Sequence, residues 1–275
     1  MRQLDKIMIS HETPASFLED SMIFNDYQYC LVHLCDEVEE YRDWFTGRYK
    51  AKDPNGEILL DNSIFELREA FDAEKFAVWA EKIQPNYYVV PDVLEGYEGT
   101  IEKFEDFFNN YSGLPGAAIG VVQGKTWTEV LDCYKYMSDK ADYIAFSFDL
   151  SMYNVTGYGD NRLDLCVTGR QECIKRLISE GVWNYNKPHH LFGCALAKEF
   201  RWYRENNIVG IRSLDTSNPI VSGIKGIRFN GTLGLTEKPS QKLFTMINHN
   251  VTDDERELIL YNAAKFREIV HGDVF

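Results

Sequence analysis

The chain has 275 residues, 44% of them hydrophobic and 14% aromatic, enough for one large domain with a sizeable core. Charged residues make up 26%, ordinary for a soluble protein. The formal net charge of −14 argues against a large, sequence-independent face for nucleic acid, because phosphate contact draws on Lys and Arg.

Short apolar runs alternate with helical patterns along most of the chain. Predicted strands are Lys6–Ser10, Tyr27–Leu34, Glu57–Leu60, Tyr87–Val90, Ala117–Val122, Tyr143–Phe148, His189–Gly193 and Val209–Leu214. Amphipathic segments predict helices over Ala73–Lys82, Thr100–Asn109, Thr126–Ser138, Arg170–Ser179 and Ala197–Asn206. Strands alternating with helices imply parallel β-α units, and continuous apolar strands fit a sheet covered on both faces. Eight of them, in a chain of this length, predict a single-domain (β/α)8 TIM-type barrel over residues 1–275, with a doubly wound open sheet as the alternative. The longest irregular stretch is Ser151–Asp164, rich in Gly, Asn and Tyr. A last helix is predicted over Thr252–Val270, capped by Thr252, with Asp253, Asp254 and Glu255 in its first turn.

The six cysteines are scattered without a C-x2-C pair, which predicts reduced, buried thiols and no zinc site. Met1–Ser10 lacks the apolar run of a signal peptide, and no 18-residue apolar stretch follows. The expectation is a cytoplasmic protein with no membrane segment.

Barrel active sites lie at the C-terminal ends of strands. Here five strands end in a carboxylate or carboxamide: Asp61, Asp92, Gln123, Asp149 and Asp215. One such Asp is ordinarily a turn former or helix cap, and Asp149, opening a turn-rich loop, keeps that reading. The set suits displacement at a sugar carbon, where one carboxylate attacks and a second group handles protons. Carboxylates and amides also read a base edge.

These elements resemble a known family. LLDNSIFE (Leu59–Glu66), YYVVPD (Tyr87–Asp92), IGVVQG (Ile119–Gly124), LFGCA (Leu191–Ala195) and GIRSLDTSNPIVSG (Gly210–Gly223) are similar, in order, to segments of the tRNA-guanine transglycosylases and their DNA-acting relatives of the DpdA type. The resemblance covers about residues 57–235. It implies that Asp215 attacks C1′ to form a covalent glycosyl-enzyme and that Asp61 is the general acid or base. It implies that Asp92, Gln123 and Gly124 hold the purine edge, with Phe192 and Gly193 walling the base. A 7-deazaguanine such as preQ0 or preQ1 then replaces guanine.

The chain departs from the pattern twice. Gly231–Asn250 contains no cysteine, so the family's zinc site has no ligands here and zinc is not expected. Ser147 and Phe148 stand where a glycine pair is expected. The first departure removes a tRNA-docking element, so the expected substrate is DNA, such as a phage genome modified in the host cytoplasm. A tRNA substrate, or a base glycosylase that lets water finish the reaction, are the alternatives, and a non-catalytic partner subunit is a third. An oligomer or a partner protein would supply basic surface that this acidic chain lacks.

Other residues are weighed singly. Lys225, Arg228 and Arg212 surround the nucleophile loop and are candidate phosphate contacts. His189 and His190 open the seventh strand at its N-terminal side and read as surface or core histidines of the barrel's structural lower face, with metal ligation as the alternative. His11 and Glu12 follow the first strand onto the catalytic rim. Tyr153 and Tyr158 are aromatic candidates for base stacking, though loop aromatics more often pack the loop down.

Overall fold

A computed structural model describes residues 6–230 and 238–272. Eight parallel strands among them form one sheet, in the order β1-β8-β7-β6-β5-β4-β3-β2. They are β1 (Met8–His11), β2 (Gln28–Leu31), β3 (Ile58–Asp61), β4 (Tyr87–Val89), β5 (Ala117–Val122), β6 (Tyr143–Phe146), β7 (His189–Leu191) and β8 (Ile211–Thr216). With helices between them, this is a TIM-barrel-type α/β fold. Residues on both faces of β2, β3, β6 and β7 are buried throughout, as parallel strands covered on both sides require.

The chain divides into two compact units: residues 1–26 with 148–275, and residues 27–147. In the 27–147 unit, β2 pairs with β3, β3 with β4, β4 with β5 and β5 with β6, all in parallel. Its helices Ala73–Ile83, Tyr97–Asn110 and Trp127–Lys140 follow β3, β4 and β5. A capping box opens the last of these: Thr126 accepts from Glu129 N–H and Glu129 returns a bond to Thr126 N–H. The predicted strand Tyr27–Leu34 ends early, at Leu31, because the chain turns directly into the helix Val32–Glu37.

In the other unit, β1 and β7 flank β8. Phe17, Phe24, Ile220, Val221, Leu243, Ile259 and Ala263 form one buried cluster there, which seats the Asp253–His271 helix. Thr252 and Glu255 make its capping box, and Glu255 also receives His249 at 3.0 Å. The stretch Ser151–Asp164 is less irregular than its composition implies. It carries a helical turn at Tyr153–Thr156, and the next helix begins at Arg162, eight residues ahead of the predicted start. The Asn161 side chain caps that helix by accepting from Asp164 N–H. Of the cysteine-free segment Gly231–Asn250, residues 231–237 lie outside the described residues, and Leu243–Met246 forms a 3-10 turn.

Candidate active site

The candidate residues divide between the two units. In the 27–147 unit, Asp61 ends β3 and Asp92 lies three residues beyond β4, while Gln123 directly follows β5. Asp92 is 2% exposed, and each carboxylate oxygen accepts one side-chain amide: Oδ1 from Asn62 Nδ2 at 2.8 Å, Oδ2 from Gln123 Nε2 at 2.7 Å. Gln123 Nε2 also donates to Ser147 Oγ at 3.3 Å, and its Oε1 accepts from Glu95 N–H at 2.9 Å. Burial pushes the Asp92 pKa up, against the opposing effect of the two amide donors. A backbone N–H, that of Asp92, also favours the charged carboxylate.

Asp61 is held beside this group. Tyr29 Oη–H donates to its Oδ2 at 2.8 Å and Ser63 N–H to its Oδ1 at 2.6 Å. Ser63 adopts a left-handed φ of 58°, and that turn brings its amide back onto Asp61. Gly124 is required by packing: a Cβ there would lie 2.8 Å from Val130 N and 2.9 Å from Glu129 Cβ at the start of the next helix. Sequence reasoning missed Asn62, although it neighbours Asp61 and its amide bridges to both Asp92 and the Val90 carbonyl.

In the other unit, Asp215 is the fifth residue of β8 and 2% exposed. Gly193 N–H donates to both of its carboxylate oxygens, each at 3.1 Å. Gly193 has a φ of +58°, the left-handed turn that aims this amide at the carboxylate. His190 Nε2 lies 3.1 Å from Asp215 Oδ1, and its Nδ1 lies 2.9 Å from Ser213 Oγ. His190 is therefore no lower-face residue: β7 is three residues long, and His190 is fully buried against the candidate nucleophile. Phe192 is half-buried, and its ring meets the His190 imidazole edge-on at 4.5 Å.

Behind the Phe192–Cys194 turn lies a fully buried ion pair. Arg170 Nε and Nη2 donate to the two Glu199 oxygens at 2.8 and 2.7 Å, and Arg170 Nη1 donates to the Phe192 carbonyl at 2.6 Å. Burial opposes the Arg170 charge, but Glu199 outweighs it and holds the guanidinium well above its ordinary pKa. Lys238, half-buried, donates to Ser217 Oγ at 3.0 Å. Burial lowers its pKa, while the nearby Glu12 and Asp215 charges pull it up.

The remaining candidates fare differently. Lys225 is exposed at the end of the Asn218–Ile224 helix and borders a cavity of about 570 Å3 shared with Gln241, Phe244 and His249. Arg228 is exposed, with its guanidinium stacked over the Tyr261 ring at 3.7 Å. His11 is 2% exposed, with Nδ1 at 2.9 Å from Asn25 Oδ1, and packs edge-on to Phe24 and Phe266 as a core residue. Tyr153 is fully buried, so it packs the loop down instead of presenting a stacking face, whereas Tyr158 is 58% exposed. Asp149 pairs with Arg162. All six cysteines are free and buried.

Among the described residues, no group of three His, Cys, Asp or Glu side chains is placed to hold a metal ion. No helix among them is long and apolar enough to cross a membrane. No protein-family model matches the chain, and no curated protein does. Among solved structures it is similar to the crystal structure of protein CitE from Mycobacterium tuberculosis in complex with magnesium, acetoacetate and coenzyme A. The identity is 10% and the TM-score 0.41, over 94% of this chain and 99% of that one. That likeness bears no weight for the chemistry of this chain.

Proposed function

We propose that the protein exchanges guanine in DNA for a 7-deazaguanine through a covalent aspartyl-glycosyl intermediate. The observation that carries this reading is Asp215: a buried carboxylate at a strand end, gripped on both oxygens by the Gly193 N–H. A carboxylate fixed in that way is preorganised to attack a sugar carbon.

The steps follow from the resemblance and from the two residue groups. A carboxylate oxygen of Asp215 bonds to C1′, and the C1′–N9 bond breaks with its electron pair on guanine. Asp61 supplies the proton that neutralises the departing base. The incoming 7-deazaguanine then gives its N9 proton to Asp61 and attacks C1′, which releases the Asp215 carboxylate. Asp92 and Gln123 hold the base edge, Asp92 accepting from purine N–H groups. Gln123 has its amide engaged in the free protein, so reading a base carbonyl requires it to exchange its bond to Ser147. By the resemblance, Gly124, Phe192 and Gly193 contact the base, and in this scheme Lys225 and Arg228 contact phosphates. DNA is favoured over tRNA because the segment after the nucleophile loop has no cysteine for a tRNA-docking zinc site.

The test is incubation with guanine-containing duplex DNA and preQ0 or preQ1, followed by digestion to nucleosides and mass spectrometry. The expected product is a 7-deazaguanine deoxynucleoside, with a protein–DNA adduct that disappears in Asp215→Asn. Modification of tRNA alone overturns the DNA assignment. Release of free guanine without an incoming base marks a hydrolase, and activity unchanged in Asp215→Asn removes the covalent mechanism.

A further inference from the structure

We infer that His190 is the positioning residue of the nucleophile, and that it leaves Oδ2 of Asp215 as the attacking atom. This rests on the base-exchange reading above. The two oxygens of Asp215 are not equivalent. Oδ1 accepts from His190 Nε2–H and from Gly193 N–H, both at 3.1 Å, whereas Oδ2, among the described residues, shares only the Gly193 N–H. A lone pair bound to a donor is withdrawn from attack, so the oxygen with fewer donors is the better nucleophile.

The imidazole is itself oriented. A nucleophilic carboxylate only accepts, so Nε2 carries the proton toward Oδ1, and Nδ1 accepts from the Ser213 hydroxyl at 2.9 Å. Ser213 and Asp215 are two residues apart on β8 and share one face of the sheet. One imidazole therefore spans both. The ring is fully buried, and the Phe192 edge closes it off at 4.5 Å.

A local irregularity makes this alignment. His189 pairs with Ile211, but His190 pairs with Ser213, so β8 contains one extra residue at that point. In an uninterrupted ladder His190 would lie beside Arg212, whose side chain points to the opposite face. The bulge moves His190 into register with Ser213 and so onto the face that carries Asp215. During the reaction the Nε2 proton stays on the histidine. The bond that forms is Oδ2–C1′, and the proton for the leaving base comes from elsewhere.

The experiment compares wild type, His190→Phe and His190→Gln in steady-state base exchange and in single-turnover adduct formation on duplex DNA. The glutamine amide nitrogen stands near the place of Nε2 and keeps a donor for Oδ1. Loss of one hydrogen bond to a charged group predicts a fall of roughly 10- to 100-fold in kcat and adduct rate for His190→Phe. KM for DNA and for preQ1 should stay within a few-fold, and His190→Gln should recover most of the loss. An independent readout is the imidazole nitrogen spectrum of the histidine-labelled wild type, with the His190 signal assigned by its loss in His190→Gln and the proton expected on Nε2. A proton on Nδ1 overturns the assignment, as does a His190→Phe enzyme with wild-type kcat, or Phe and Gln variants equally impaired. A wild type that exchanges no base overturns the underlying reading instead, and the two failures are thereby distinguished.

Discussion

Replacing Arg170 with methionine should cost about 3–5 kcal/mol of stability, the usual penalty for leaving one partner of a buried ion pair without the other. Both side chains are fully buried, and Arg170 is bonded to each Glu199 oxygen. In Arg170→Met the Glu199 carboxylate keeps the Tyr203 hydroxyl at 2.7 Å but loses its bidentate guanidinium partner. The Phe192 carbonyl loses its 2.6 Å donor as well, worth a further ~1–3 kcal/mol if no water replaces it. Urea denaturation followed by tryptophan fluorescence measures the sum. The double variant Arg170→Met with Glu199→Met removes the stranded charge and should recover part of the loss, leaving the Phe192 carbonyl and the Tyr203 hydroxyl as the residual. A loss under about 1 kcal/mol in the single variant, or a double variant no more stable than the single, would refute the argument that Arg170 neutralises a buried charge. Exchange activity should fall further than stability explains, because the turn that Arg170 clamps carries the Gly193 N–H on Asp215.

Two further outcomes follow from the same geometry. His11 and His189 have pKa values lowered from 6.5, to about 4 and about 3, because burial disfavours their charged forms. The unfolded chain binds protons that the folded state refuses, so this contribution is fully present above pH 6.5 and is lost as pH falls towards 4 and 3. For His11 it amounts to on the order of 3 kcal/mol. The urea midpoint should therefore drop across that window, and less steeply in His11→Phe; equal slopes would refute the assignment. Gln123→Ala removes the 2.7 Å donor to Asp92 and the acceptor of Glu95 N–H. KM for preQ1 should rise at least about tenfold for a lost hydrogen bond to a charged group, and an unchanged KM would remove Gln123 from base recognition.

The strands were legible where punctuation bounded them. Ala117–Val122 is a strand from end to end, because Gly116 at φ +95° turns the chain before it and Gln123 leaves the sheet after it. Tyr27–Leu34 was read too long, since an apolar run buried in a strand continues into an apolar run buried in a helix, and periodicity does not separate the two. The helix over Arg162–Ser179 was read too short for the opposite reason. Its first turn follows Gly157, Gly159 and Asn161, residues that signal a loop, yet Asn161 serves as the cap that starts the helix.

For the site, position at a strand end was a sound guide to which polar residues lie together, but only within the reach of one strand and its neighbour. Asp92 and Gln123 follow neighbouring strands β4 and β5, and they meet at 2.7 Å. His190 was missed because its role depends on one extra residue in β8, and regular alternation sets it beside Arg212 instead of Ser213. A bulge leaves no mark that apolar periodicity detects, since Ile211 and Leu214 stay buried on either side of it. The same irregularity explains how a histidine of a three-residue strand comes to serve a carboxylate on the next. With Arg212 kept and the pairing regular, His190 would face Arg212 instead of Ser213, so the nucleophile's orientation depends on a backbone feature as much as on the identity of either side chain.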